Sequence, residues 1–194
     1  MKTHRIFPTV LTEFSYDISK EEESTVHKEF DRFEYRTDVF PINTITDLHI
    51  HIPQFTKFIL DTSDTILTDT LRYSYDSIEI TNMWANKLVK GQAHAPHIHS
   101  NNILSGVYYL TGGTPLQFSD PRPHAHVLSP TCIENTIDNV TRFDFKAVKG
   151  SGIIFPSWMQ HWVPTTSDTR ISISWNIILR GRYGSHLNLQ NANI

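Results

Sequence analysis

The clearest pattern in the chain lies in RISISWNIIL, where polar and apolar residues alternate from Arg170 to Ile177. Arg170, Ser172, Ser174 and Asn176 share one face of an extended strand; Ile171, Ile173, Trp175 and Ile177 share the other. Serine and asparagine are poor choices for a wet surface that could carry lysine and glutamate. Small polar residues around one arginine predict the floor of a pocket. Further short β-rich runs follow one another from Ile78 onward: IEITNMWANKL, ILSGVYYLT, PLQFSD, AHVLS, RFDFKAV, SGIIFPS and HWVPT. Their β-branched and aromatic content predicts about eight strands with RISISWNIIL. No helix-length pattern interrupts them, which argues against a parallel βαβ sheet and for an antiparallel double sheet.

Upstream the period changes. Ser19-x-x-Glu22 opens SKEEESTVHKEFDRFEY as a capping box followed by helical spacing, and Pro41 with NTIT ends it. A second amphipathic helix is expected from about Gln54 to Leu71, with Phe55, Phe58, Ile59 and Ile66 on its apolar side. The expected fold is mainly β (α+β), a jelly-roll or cupin-like double-stranded β-helix with the N-terminal helices packed on one sheet. The organisation expected is a single domain, 1–194, with a helical shoulder at 1–75 and the double-stranded β-helix at 76–182.

Composition narrows the function classes. With 39% hydrophobic residues over 194 positions, the chain can bury a sizeable core. Only 19% of residues are charged and the net charge is −3, so phosphate-neutralising nucleic-acid binding is not indicated. One cysteine, Cys132, excludes an internal disulfide and predicts a reducing, cytoplasmic setting; it has no histidine or basic partner nearby and reads as inert. No long apolar run predicts a membrane span, so a soluble protein is expected. A homodimer is the commonest default for its assembly.

The eleven histidines cluster, and HAPHIHSNN holds three of them in six positions. Alternation puts His97 and His99 on one face of an extended chain, close enough for one metal ion. His161 follows the apolar strand Ile153–Phe155 and the turn-prone Pro156-Ser157. In a rolled double sheet, distant strands meet at the barrel mouth, so these three imidazoles can converge and leave sites open on the metal. Arg170 lies nine residues after His161 across the polar turn TTSD, and a hairpin of that length puts both side chains in one cavity. Its guanidinium offers a planar fork for a carboxylate, with the Ser172 hydroxyl beside it. Tyr109 shares strand parity with Ser105 and Val107 and could offer a hydroxyl to a ligand. Trp158 and Trp162 flank His161 and either shield the metal or fill the core. His94, His124 and His126 read as loop histidines.

HIHSNNILSGVYYL, FSDPRP, GIIFPSWMQHWV and RISISWN resemble the 2-oxoglutarate/Fe(II) oxygenases of bacteria and tailed phages, over about 84–176, with a weaker likeness at RIFPTV. The resemblance implies Fe(II) and 2-oxoglutarate, with His97 and His161 as iron ligands and Arg170 with Ser172 anchoring the far carboxylate. It implies hydroxylation of a substrate the sequence does not identify, with release of succinate and CO2. The wider superfamily writes His-x-Asp/Glu where this chain has His97-x-His99. His99 is the preferred third ligand; Asp120 of FSDPRP or a site with only two protein ligands are the alternatives. The spacings Gly91-x5-His97-x-His99 and Gly150-x5-Pro156-x4-His161 also resemble cupin motifs. The rival functions are therefore a three-histidine cupin-type dioxygenase that uses no 2-oxoglutarate and a non-catalytic metal- or ligand-binding β-barrel. The loop from His124 to Asp138 and the N-terminal helices could shape the pocket mouth.

Overall fold

The computed structural model describes residues 1–32, 42–122, 127–185 and 189–194. The strand-rich part folds into two antiparallel sheets. The larger has six strands in the order β1 (Thr12–Ser15), β8 (Ser151–Pro156), β5 (Leu104–Tyr109), β10 (Arg170–Arg180), β3 (Ser77–Leu88) and β2 (Ile42–Asn43). The smaller has four: β4 (His94–His97), β9 (His161–Val163), β6 (Gly113–Ser119) and β7 (Arg142–Ala147). A short pair, β11 (Arg182–Tyr183) and β12 (Ala192–Asn193), lies apart. The non-sequential strand orders are those of a double-stranded β-helix, as the alternating runs predict.

The polar–apolar alternation of β10 is spent as expected. Its isoleucine and tryptophan face packs outward under the helices, where Ile173, Trp175 and Ile177 join Met83, Tyr108, Phe55 and Ile59 in one buried cluster. Its polar face looks inward between the sheets, beside a second cluster that includes Leu88, Val107, Leu116, Phe118, Phe155 and Val163. The register across the floor sets Ser172 opposite Tyr109 and Asn86, and Ser174 opposite Val107 and Trp84.

Two helices cover the outer face: α1 (Lys20–Arg32) and α2 (Pro53–Thr65), the latter continued by a π-helical turn at Ile66–Thr70. Ser19 caps α1 by accepting from the Glu22 N–H at 3.2 Å. The reciprocal half of the expected capping box is absent. The Glu22 carboxylate instead accepts from the N–H groups of Gln54 and Phe55 at 2.8 and 3.3 Å, capping α2 and tying the two helices together. Among the described residues no helix is long and apolar enough to cross a membrane.

Some expectations are corrected by the pairing. AHVLS is not a strand over its described part: Val127 and Leu128 are 73% and 83% exposed, in a loop broken by prolines on both sides. His161 and Arg170 are not joined by a hairpin, because β9 spends its hydrogen bonds on β4 and β6 whereas β10 pairs with β3 and β5. The turn between them crosses from one sheet to the other, so the two side chains approach from opposite walls. Trp158 is 52% exposed and fills no core. His124 and His126 lie outside the described residues.

Gly106 shows how tightly the outer face is packed. A Cβ there would fall inside the indole of Trp175, its partner across β5 and β10. Gly106→Ala is therefore expected to lower stability by about 1–3 kcal/mol, the range for overpacking a filled core, with little change in metal content. Chemical denaturation with metal analysis checks both.

Candidate metal centre and pocket

Three histidines converge where the two sheets meet. His97 ends β4 and His161 opens β9; they are directly paired across the ladder, with ring centroids 4.3 Å apart. His99, two residues beyond His97 in extended chain, turns the same way, and its backbone N–H donates to the Ser157 carbonyl at 2.9 Å. One nitrogen from each of His97, His99 and His161 lies within 4.8 Å of the others.

The ring tautomers follow from the neighbours. A carbonyl only accepts, so His97 Nδ1–H donates to Ala95 O at 2.7 Å and His161 Nδ1–H to Met159 O at 2.9 Å. In both rings this leaves the lone pair on Nε2. His99 Nε2 sits 3.2 Å from His161 Nε2. Two nitrogens bound at right angles to one metal at about 2.1 Å lie roughly 3 Å apart, so this pair already has the spacing of neighbouring ligands. Imidazole nitrogens, two of them on rings whose other nitrogen bonds a carbonyl, are the donor set that a borderline divalent metal such as iron prefers.

Burial favours the neutral form of His161 and His99. His161, 4% exposed, is pushed down to about 3 by burial and then by the charge of His97, against the Met159 carbonyl that favours its protonated form. His99 is pushed down to about 4 by the same two causes in the same order, opposed by Asn176. An imidazole whose folded value falls below its unfolded one binds fewer protons in the folded state, so its contribution is complete above about pH 6.5. It is lost as pH falls from there towards 4 and 3. The metal-free protein is accordingly expected to lose thermal stability over that interval, and His161→Asn to flatten part of the loss. Melts in a chelator across pH 7 to 4 check this, and a flat profile would contradict it.

The opposite wall carries the cation. Arg170, 2% exposed, donates from Nη1 to Ser172 Oγ at 3.1 Å and from Nε to Thr114 O at 3.2 Å. Its guanidinium stacks over the Tyr109 ring at 4.8 Å from the centroid. It has no carboxylate partner among the described residues. The Tyr109 hydroxyl is buried without a hydrogen-bond partner, and burial raises its pKa, against the pull of Arg170. A buried cation with no carboxylate partner among the described residues and a buried phenol with no hydrogen-bond partner suit a carboxylate.

Trp84, Asn86 and Ser174 complete the floor. Trp84 stacks on His99 at 5.8 Å and donates to Asn86 Oδ1, while Asn86 Nδ2 donates to Ser174 Oγ at 3.0 Å. The sequence offered two other assignments here, and the structure parts from both. Asp120 lies outside the cluster: its carboxylate is held by Arg122 Nη2 at 2.5 Å. His94 is no loop histidine. It lies on β4, half-buried, and lines the same cavity as His97, His99, His161 and Arg170. Its ring stacks on His97 at 4.3 Å, and burial, then His97, then Arg170 push its pKa down to about 4. The cause is a β-bulge. His94 pairs with Val163 and His97 with His161, so Ala95 and Pro96 oppose the single residue Trp162, and both histidines turn inward. Proline inside an extended run was the signal available in the sequence.

A family model described as "Putative 2OG-Fe(II) oxygenase" matches residues 82–176. That span holds all three clustered imidazoles and Arg170. Among curated proteins, none matches the chain. Several solved structures share the fold. A Pseudomonas putida prolyl-4-hydroxylase is 13% identical, with a TM-score of 0.59 over 89% of this chain and 94% of its own. A 2OG-Fe(II) oxygenase family oxidoreductase from Burkholderia pseudomallei is 12% identical, TM-score 0.58, over 87% and 84%. A viral collagen prolyl hydroxylase from Paramecium Bursaria Chlorella virus-1, solved as a 2OG complex, is 13% identical, TM-score 0.55, over 86% and 94%.

Proposed function

Residues 82–176 belong to the 2OG-Fe(II) oxygenase family, and from that premise we propose how this chain's own side chains serve the reaction. His97, His99 and His161 hold Fe(II) through their Nε2 atoms. Arg170, with Ser172 and Tyr109, holds the far carboxylate of 2-oxoglutarate, the ligand that the viral relative carries. The single observation that carries this reading is the pairing of two walls: an imidazole trio on one sheet edge and, on the other, a buried guanidinium without a carboxylate partner among the described residues.

When bound, the iron supplies the oxygen-activating chemistry that couples decarboxylation of 2-oxoglutarate to oxidation of a substrate. The protein's part is placement. Ala95 O and Met159 O fix two rings in the tautomer that presents Nε2. Thr114 O and Ser172 Oγ fix the guanidinium in plane, so that its free edge meets a carboxylate as a fork. Phe118 and Phe155 pack against His161 at 5.9 and 4.7 Å and keep water from its back. A third imidazole in place of a carboxylate leaves the centre about one charge more positive, which strengthens its hold on an anionic 2-oxo acid and weakens its hold on the metal itself.

The default outcome is hydroxylation of a substrate. The reading extends to a reducing cytoplasm, of a bacterium or its phage, in keeping with Cys132 as an exposed free thiol, and to a homodimer as the simplest assembly. In air, wild-type protein with Fe(II) and 2-oxoglutarate is expected to release succinate and CO2 slowly even without added substrate, and chelation of the iron to stop it. Succinate at background in the presence of bound iron would count against the assignment.

A further inference from the structure

His94 is the polar side chain of the pocket wall with least to hold it. His97 and His161 are pinned by carbonyls, Asn86 by Trp84 and Ser174, and Arg170 by Thr114 and Ser172. Neither ring nitrogen of His94 has a hydrogen-bond partner among the described residues; what positions the ring is its stack on His97. Yet the chain departs from regular pairing to bring it here, since without the bulge at Ala95 and Pro96 residues 94 and 97 would face opposite sides of β4. His94 shares the cavity with the imidazole trio and with Arg170. A ligand that fills this cavity between the trio and Arg170 has His94 on its wall.

We propose that His94 is a cosubstrate-binding residue: its ring N–H donates a hydrogen bond to the distal carboxylate of 2-oxoglutarate beside Arg170. An imidazole keeps at least one N–H in either charge state, so the donor is always present. His94 thereby helps the pocket select a five-carbon dicarboxylate over a shorter 2-oxo acid that lacks the second carboxylate. The inference rests on the site reading given under Proposed function and adds to it a residue and a specificity.

The test uses Co(II), whose visible spectrum reports the metal without turnover, and two ligands, 2-oxoglutarate and pyruvate. Pyruvate offers the same 2-oxo acid end and no distal carboxylate. In His94→Phe the ring that stacks on His97 remains and the N–H is lost; His94→Leu gives the same readout if the larger ring does not fit. Co(II) affinity and spectrum are expected to stay within about twofold of wild type. 2-Oxoglutarate binding should weaken about tenfold, the scale of one hydrogen bond to a charged group, while pyruvate binding holds within twofold. His94→Gln, which keeps a donor, should recover part of the loss. Unchanged 2-oxoglutarate affinity in His94→Phe overturns the proposal, as does an equal weakening of pyruvate, which would mean that His94 acts through His97 on the metal. A fall in Co(II) affinity would make it a ligand instead. If the wild type takes up Co(II) but no 2-oxoglutarate, the site reading itself fails, and His94 with it.

Discussion

Replacing His161 by alanine should leave a folded protein that retains almost no iron and turns over at least about a thousandfold more slowly, a loss of roughly 4 kcal/mol at the transition state. His161 is the most buried of the three imidazoles and the one whose two neighbours in the cluster lie nearest, His97 by ring and His99 by nitrogen. Its removal takes away the Nε2 that faces His99 and the ring that packs on His97. The metal-free fold should suffer less, because the lost bond to Met159 O is one hydrogen bond, about 1 kcal/mol, and a cavity forms beside Phe118 and Phe155. Wild type should gain thermal stability when iron is added, by about 2.7 kcal/mol at a hundred times the dissociation constant, and the variant should gain none. Metal analysis after gel filtration and paired melts with and without iron separate the two effects. A variant that keeps its iron would move the metal centre away from His161.

Arg170 offers the second large effect, and its two halves point in opposite directions. Arg170→Met keeps the side chain's length and removes the charge. The half-saturating concentration of 2-oxoglutarate should rise about a hundredfold, or about 2.7 kcal/mol. Arg170→Lys should recover only part of this, since an ammonium cannot form the two-pronged contact. Stability should move the other way. The guanidinium is buried against Tyr109 with two hydrogen bonds and no carboxylate among the described residues, so its desolvation is incompletely offset in the metal-free protein. Arg170→Met should therefore melt no lower than wild type without ligand, and the stabilisation by 2-oxoglutarate should vanish. A side chain kept at a cost to the fold is what a binding role predicts. A variant that loses stability and still binds 2-oxoglutarate normally would mark Arg170 as a structural residue.

The strand that carries Arg170 was readable because its face alternation is local: Arg170, Ser172 and Ser174, at every second position, meet the cavity whichever strands flank them. The three clustered histidines were readable for a related reason, since His97 and His161 sit at strand ends that a double-sheet fold brings to one rim, and His99 follows two residues after His97. What the sequence hid is non-local. The pairing of β9 with β4 and β6 in place of a hairpin to β10 depends on which strands compete for its hydrogen bonds, and residues 161–170 alone do not state that. The inward turn of His94 depends on counting residues across two strands, three steps on β4 against two on β9. Likewise Thr12–Ser15 is not among the expected strands, and its register against Ile153 and Ile154 is what makes it an edge of the larger sheet. Glu22 was read for its own helix, and its carboxylate serves the next one. Apolar content misled at Val127 and Leu128, where neighbouring prolines keep the segment out of either sheet.

The most direct single measurement is an anaerobic titration of the wild-type protein with Fe(II) followed by 2-oxoglutarate, recorded in the visible range. With the imidazole trio on one wall and Arg170 on the other, a weak charge-transfer band should grow and saturate at one iron and one 2-oxoglutarate per chain. Iron and 2-oxoglutarate both bound, with no band at any ratio, would contradict the placement of the two in one pocket.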